Sequence, residues 1–362
     1  MRAMIHGFIC CKGELVERCG KVKLVSSILL ATLGVTFALS SNLIAEQSRS
    51  VKVFALQAPD ISPEAVAPEL SELKDPMVYG VSWRFRWKFI EPHEGQYNWE
   101  PLDKALQLTS KAGKQVILHI IAGMHTPPWV YQAGVKALDF NSSDLFYADF
   151  YQQFQKNLRM PVPWDEVYLA KFEGFVEALG KRYNRNPSIY GIVMSGGGRI
   201  DEMNLPMAYE KWRQAGYSDD KLITSWKRII TAYQRALPDT PTILSINEPL
   251  GRGHSNILKP IVSYILSTYP QKVYLQQNGL KADLPSDYLI RQIIREASAK
   301  TIVGYQMLGG KGFYDKETGD RLTAFRNALE DHVSYIEMYA SDVRDPNQRR
   351  SLQFLAAPIT RY

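Results

Sequence analysis

The sequence predicts a single (β/α)8 barrel, and three observations carry that expectation. Apolar strand-like runs alternate with amphipathic helix-like runs along most of the chain. Eight such strand candidates fit into about 310 residues, the usual span of this architecture. No glycine fingerprint of the GxGxxG kind follows the first strand, which argues against a dinucleotide-binding sheet.

The elements read in order as follows. VKVFALQ (51–57) is a short buried strand, and VYGVSWRFRW (78–87) alternates strongly enough to be a second. EPLDKALQLTSKAG (100–113) is a helix with a glycine stop, and QVILHIIAG (115–123) a buried strand. A long connection carrying HTPPW and PVPWD follows, then the helix YLAKFEGFVEALGKRY (168–183). IYGIVMSGGG (189–198), TPTILSIN (240–247), KVYLQQNG (272–279), TIVGYQML (301–308) and VSYIEMYASD (333–342) are the remaining strands. Helices at 218–237, 257–269, 287–299 and 322–332 separate them, and one at 347–357 closes the chain. Pro260 must lie in the first turn of its helix, where its missing N–H costs nothing. Residues 46–362 therefore form one domain.

Residues 1–45 read as a leader. Arg18, Lys21 and Lys23 precede LVSSILLATLGVTFALSSNLIA, a charged segment followed by an apolar one, with small residues for cleavage between Ser41 and Gln47. The expectation is a signal peptide, with an uncleaved membrane anchor as the alternative, and a secreted or periplasmic location. Cys10, Cys11 and Cys19 all fall in this leader, so the barrel has no disulfide framework and no thiolate metal site. The chain carries a formal charge of +6. Five Lys/Arg against two Asp/Glu stand in the leader, which leaves the barrel near +3, and no basic run appears. Nucleic-acid binding is not expected, and membrane contact only through the leader. The histidines lack paired spacing, and GxSxG is absent, so neither a metal nor a serine nucleophile is expected, and no cofactor.

One stretch is too elaborate for a plain turn. W-x-x-I-E-P-x-E-G-x-Y-x-W-x-x-L-D runs from Trp87 to Asp103, and GKQVILHI, TPPWV and LGKRYNRNPSIYGI follow. Together, over roughly residues 78–200, they resemble the clan A glycoside hydrolases, and most of all the N-terminal barrel of the family 42 β-galactosidases. The resemblance implies hydrolysis of O-glycosidic bonds in a β-linked carbohydrate by a retaining mechanism that uses two carboxyl groups. Most of the Trp87–Asp103 motif reads as architecture: Pro92 ends a strand, Gly95 permits a tight turn, and Tyr97 and Trp99 pack at the barrel rim. Glu91 and Glu94 are expected to serve structure, through an arginine or a backbone amide.

The same resemblance implies an acid/base Glu after the fourth strand, usually behind an Asn, and a nucleophile Glu ending the seventh. This chain departs from both. Its fourth strand ends MSGGGRIDEMN, where Asp201 and Glu202 are the nearest acids, and its seventh ends YQMLGG, offering Gln306. Glu337, within the apolar strand YIEMY, is the remaining candidate, because an acid there is costly unless used or paired. Alternation puts Tyr335, Glu337 and Tyr339 on one face. A second register makes LSINEP the fourth strand, with Glu248 behind Asn247 as acid/base, provided VKVFALQ lies outside the barrel. RYNRNP and the lack of an eighth strand in that register favour the first. Glu202 and Glu337 are thus the expected catalytic pair, with Glu248 the alternative to Glu202. Arg84, His119, Trp129, Trp164, Asn247, Gln276, Asn278, Gln306 and Tyr335 are candidate sugar contacts. The rival readings are a carbohydrate-binding barrel without catalysis and an envelope structural protein.

Overall fold

The computed structural model describes residues 50–57, 70–141, 144, 157–251 and 253–357; the predicted leader lies outside them. Ten strands are present: β1 (Lys52–Leu56), β2 (Gly80–Arg86), β3 (Gln115–Ile121), β4 (Ala137–Asn141), β5 (Asn157–Pro161), β6 (Ile189–Val193), β7 (Thr242–Ser245), β8 (Val273–Leu280), β9 (Val303–Met307) and β10 (Tyr335–Tyr339). Eight of them close a parallel barrel in the order β1–β2–β3–β6–β7–β8–β9–β10, with β10 pairing back onto β1. The single (β/α)8 barrel read from the alternation is the observed one. Since β1 is a barrel strand, β6 is fourth, β9 seventh and β10 eighth. The register that made LSINEP the fourth strand is excluded, because Leu244 and Ser245 end the fifth strand and the rest follows it.

The main outer helices are α1 (Glu100–Lys111), α2 (Glu166–Tyr183), α3 (Asp219–Ala236), α4 (Leu258–Thr268), α5 (Leu289–Ala297), α6 (Arg321–Glu330) and α7 (Arg349–Ala356). Three begin on side-chain caps: Asp165, Ser218 and Asp320 accept from the backbone N–H groups of Tyr168, Lys221 and Thr323. Pro260 does sit in the first turn of α4. The strand expected to run to Trp87 ends at Arg86, and Trp87–Ile90 makes one helical turn. Composition and periodicity missed the antiparallel pair β4–β5 inside the long third connection and short helices such as Tyr209–Gln214. The strands ALDFN and NLRMP carry Asp, Asn, Arg and Pro, residues that weaken a strand signal. Among the described residues no helix is long and apolar enough to cross a membrane.

Strand alternation divides the molecule into two cores. Outward-facing Trp83 and Trp87 pack under the helices. Trp83 Nε1 donates to Thr109 Oγ1 (3.1 Å), and the Trp87 ring lies 5.2 and 5.3 Å from Phe172 and Phe175. Inward-facing Phe54, Ile117, Tyr190, Ile243, Tyr274 and Tyr335 fill the lower barrel as a separate apolar layer. That layer is too bulky for a full complement of side chains, so glycine stands opposite the largest rings. A Cβ on Gly304 would come within 2.3 Å of the Tyr335 ring, and one on Gly80 within 2.5 Å of Phe54. Above this floor the interior turns polar. Replacing Gly304 by Ala should lower stability by about 1–3 kcal/mol through overpacking. Pairing it with Tyr335→Leu should restore part of the loss, as read by denaturant unfolding. An additive double variant would show that the ring is not what the glycine accommodates.

Candidate active site

The polar layer begins with residues one pleat above the aromatic floor: Ser82 and Arg84 on β2, His119 on β3, Gln276 on β8, Gln306 on β9 and Glu337 on β10. Pairing places these side chains at matching levels, since Arg84 is in register with His119 and Glu337 with Gln306. Each is inward because the neighbouring strand residues are apolar and face the helices.

His119 occupies the centre. Its Nδ1 lies 2.6 Å from Oδ2 of Asp201 and its Nε2 lies 2.9 Å from Oε1 of Glu337. All three side chains are fully buried. Burial opposes ionisation of both acids, yet both are held below the usual carboxylate range. Asp201 is lowered mainly by Arg84 and His119, and Glu337 by His119 with help from Ser82 and Arg84. Burial opposes the charge of His119 too, but Glu337 and Asp201 outweigh it and raise its pKa above 6.5. With carboxylate oxygens against both nitrogens, the surroundings favour the doubly protonated ring, in which both nitrogens donate. Gln276 Nε2 donates to the other Glu337 oxygen (2.8 Å) and also contacts Asn278 Oδ1 (2.8 Å), and Tyr335 Oη donates to Gln276 Oε1 (2.7 Å). Arg84 reaches Asp201 through Nε (3.3 Å) and donates from Nη2 to Gln306 Oε1 (2.6 Å).

Asp201 and Glu202 arrive from the connection after β6, and the three glycines explain how. Gly196 has φ of +106° and no room for a side chain against Phe172. Gly197 abuts the Trp226 ring, and a Cβ on Gly198 would stand 1.8 Å from the Glu202 carbonyl oxygen. The chain therefore doubles back tightly and returns two acids to the barrel mouth. Its return is pinned by Arg199 N donating to Asn204 O (2.5 Å) and Met203 N to Ser245 O (3.2 Å). Glu202 keeps 8% of its surface exposed. Asn247, at the end of β7, donates Nδ2 to its Oε2 (2.7 Å), and Arg199 lies 3.6 Å from Oε1. Burial, helped by the negative charge of Asp201, raises its pKa against the pull of Arg199, Arg84 and Asn247. The pair thus splits: Glu202 tends to hold a proton and Glu337 to lose one.

The remaining sequence candidates lie outside this network. Glu248 is turned to the Gly253 N–H (3.2 Å) and the Tyr288 hydroxyl (3.4 Å). Trp129 donates Nε1 to the Glu91 carbonyl (2.9 Å) and packs on Trp87. Trp164 donates to Ala215 O (3.2 Å) and lies between the Trp212 and Tyr217 rings. Glu91 serves architecture, accepting from Trp87 Nε1 (2.8 Å) and the Gly95 N–H (2.9 Å), while Glu94 pairs with Lys171. The main residue that sequence reasoning passed over is Asp201. The available signal was electrostatic: a buried Arg84 and a buried His119 each needed an anion. His125, after β3, is half-buried near Arg86 and Lys88, and desolvation first and those cations second lower its pKa to about 3.

Removing the imidazolium tests the network. Because the folded-state pKa of His119 lies above its ordinary value, its contribution is full below pH 6.5 and fades as pH rises through the folded value. The lowered Asp201 and Glu337 stay ionised in that window. His119→Gln should cost about 3–5 kcal/mol near pH 6 by stranding two buried carboxylates. The gap from wild type in thermal scans should narrow towards pH 9. A gap that is flat or widens with pH would mean that the ring is neutral.

The fold has counterparts among known proteins. The model of glycoside hydrolase family 42, described as beta-galactosidase, matches residues 62–231. The catalytic domain of a beta-amylase from Paenibacillus polymyxa superposes with a TM-score of 0.56 at 10% identity, over 81% of this chain and 93% of that one. A beta-galactosidase from the psychrophilic Marinomonas ef1 gives 0.48 at 12% identity, over 80% and 53%. Xylanase 10B from Thermotoga petrophila RKU-1 gives 0.48 at 14%, over 88% and 86%. No curated protein sequence matches. At such identity the β-amylase domain speaks for the fold alone. The family model carries the relationship further: the chain resembles the clan A glycoside hydrolases, and over residues 62–231 it is similar to the family 42 β-galactosidases.

Proposed function

We propose that the protein is an exported glycoside hydrolase that cleaves O-glycosidic bonds in a β-linked carbohydrate with retention of configuration. The observation that carries this reading is the split between two carboxyl groups of one buried polar layer, Glu202 pushed towards the acid and Glu337 towards the anion. Paired carboxyls driven apart in this way mark an acid and its ionised partner.

Glu202 donates its proton to the leaving oxygen as the glycosidic bond breaks. Glu337 Oε2 attacks the anomeric carbon and forms a glycosyl ester. Water then adds to that carbon, Glu202 takes the water's proton, and the ester bond breaks to release the sugar and restore Glu337. Asn247 orients Glu202, and His119 and Gln276 hold the Glu337 carboxylate. Since Glu337 is fully covered, turnover includes a local opening that brings the anomeric carbon to Oε2. Gln276, Asn278, Gln306 and Arg84 supply donors and acceptors for hydroxyls at the same depth.

A second reading rests on that same covering and on Gln306. A neutral amide ends the seventh strand, and both oxygens of Glu337 are already bonded within the protein. A barrel that binds sugar without cleaving it accounts for both. A panel of aryl glycosides and β-linked polysaccharides separates the two. The hydrolase reading expects turnover with retained anomeric configuration. Glu202→Gln should slow poor leaving groups by about 10²–10⁴-fold. Glu337→Gln should abolish turnover on the order of 10³-fold or more. Near-native turnover with a lowered Tm would remove Glu337 from the reaction, and inverted product would remove it as nucleophile. Saturable sugar binding without turnover by the wild type establishes the second reading.

A further inference from the structure

Beyond the buried layer, the rim carries an aromatic feature that none of the roles above uses. Met207 and Tyr209 are 47% and 48% exposed, unusually open for large apolar side chains. They end the connection after β6, the same connection that delivers Glu202. The Tyr209 ring lies 5.6 Å from His254, which belongs to the connection after β7. Gly251 of that second connection faces the Met207 methyl.

The two connections are fastened to each other and to the proposed acid. Asn247 bonds Glu202, and Leu205 N donates to Pro249 O (2.7 Å). Tyr209 is braced from behind. Its ring meets Tyr217 at 6.1 Å, Tyr217 meets Trp164 at 5.7 Å, and Trp164 meets Trp212 at 5.8 Å. An aromatic row thus runs from the buried Trp212 outward, and Tyr209 is its exposed end. A braced aromatic face suits a rigid, amphipathic ligand, since little side-chain freedom remains to be lost on binding. A pyranose presents such a face in its axial C–H groups, and the Tyr hydroxyl and the imidazole can meet its equatorial hydroxyls.

We propose that Tyr209, His254 and Met207 form a subsite that stacks on a sugar ring of the leaving-group side, so that the preferred ligand is an oligosaccharide or polysaccharide chain. The side is assigned from the chain path. Glu202 protonates the leaving oxygen, Met207 and Tyr209 lie five and seven residues beyond it on the same pinned connection, and His254 lies on the connection that supplies Asn247. The assignment of the side rests on the hydrolase reading; the sugar platform itself does not.

Two measurements on the full chain test it. The first is calorimetric binding of β-1,4-linked gluco-, xylo-, manno- and galacto-oligosaccharides of one to six units, in a Glu202→Gln background to prevent turnover. Affinity should rise with length for at least one series, and adding Tyr209→Ala should remove about tenfold of that gain. Tyr209→Phe should keep most of it, which separates stacking from a folding defect. The second is turnover: Tyr209→Ala should lower kcat/KM on the oligosaccharide about tenfold, and by less on a glycosyl fluoride, whose leaving fluoride is too small to touch the platform. Length-dependent binding lost in Tyr209→Ala, in a protein that hydrolyses nothing, sustains the platform and removes only the hydrolase reading. Unchanged oligosaccharide affinity in Tyr209→Ala, equal losses on both substrates, or no oligosaccharide binding by any form overturns the proposal.

Discussion

The buried imidazolium of His119, held between Asp201 and Glu337, is the constraint on which the polar half of the barrel depends. Two carboxylates and the Arg84 guanidinium occupy the same low-dielectric space, where an unbalanced charge costs several kcal/mol. Arg84 and His119 supply two positive charges, and Asp201 and Glu337 two negative ones. The set is internally neutral, which is what allows it to be dry. Every strand that contributes to it must therefore be in one register: a slip of one residue on β2, β3 or β10 would turn a charge into the apolar shell. The balance also dictates the state of Glu202. A third carboxylate beside a neutral cluster draws mainly on Arg199 and less on Arg84, so burial and Asp201 push it towards the protonated form.

The aromatic floor supports that arrangement mechanically. Tyr335 spans both layers, its ring against Gly304 below and its hydroxyl bonded to Gln276 above. Gln276 in turn holds Glu337. A change in ring packing at the floor is transmitted by one hydrogen bond to the side chain that positions the buried carboxylate. The glycines of β2 and β9 are thus tied to the site through what they make room for, not through flexibility.

Much of this was legible in the sequence. Alternating strand and helix patterns gave the closed eightfold barrel, and the shared face of Tyr335, Glu337 and Tyr339 followed from a period of two, while the structure decides that this face points inward. The Trp87–Asp103 motif read as architecture, and Glu91 and Gly95 bear that out, but Pro92 follows a helical turn and does not end the strand. What stayed hidden depends on distant contacts. The return of Asp201 is set by glycines wedged against Phe172 and Trp226, which lie on α2 and α3. Trp164 looked like a sugar-stacking residue from its loop composition, but its position is decided by Trp212 and Tyr217, some fifty residues away. The β4–β5 pair stayed hidden because ALDFN and NLRMP mix Asp, Asn, Arg and Pro into their apolar residues, whereas barrel strands of equal length are almost wholly apolar or aromatic.

The departure from the family pattern has a geometric reading. Family members are expected to end the seventh strand with a carboxylate, where this chain has Gln306. Glu337 stands directly opposite it on β10, in register. Adjacent strands lie about 4.8 Å apart, so the Glu337 carboxylate stands one strand to the side of Gln306. Arg84 shows what this placement does. In the present arrangement its Nη2 donates to a neutral amide at 306 while its Nε faces Asp201. A carboxylate at 306 would take Arg84 as its direct partner and leave Asp201 leaning on His119 alone. The neutral cluster would then carry one negative charge too many, and the imidazolium would be shared among three anions. Gln306, Asp201 and Glu337 are therefore one coupled choice: with the acid on β10 and a second acid returned by the glycine loop, the seventh strand has to end in a neutral side chain.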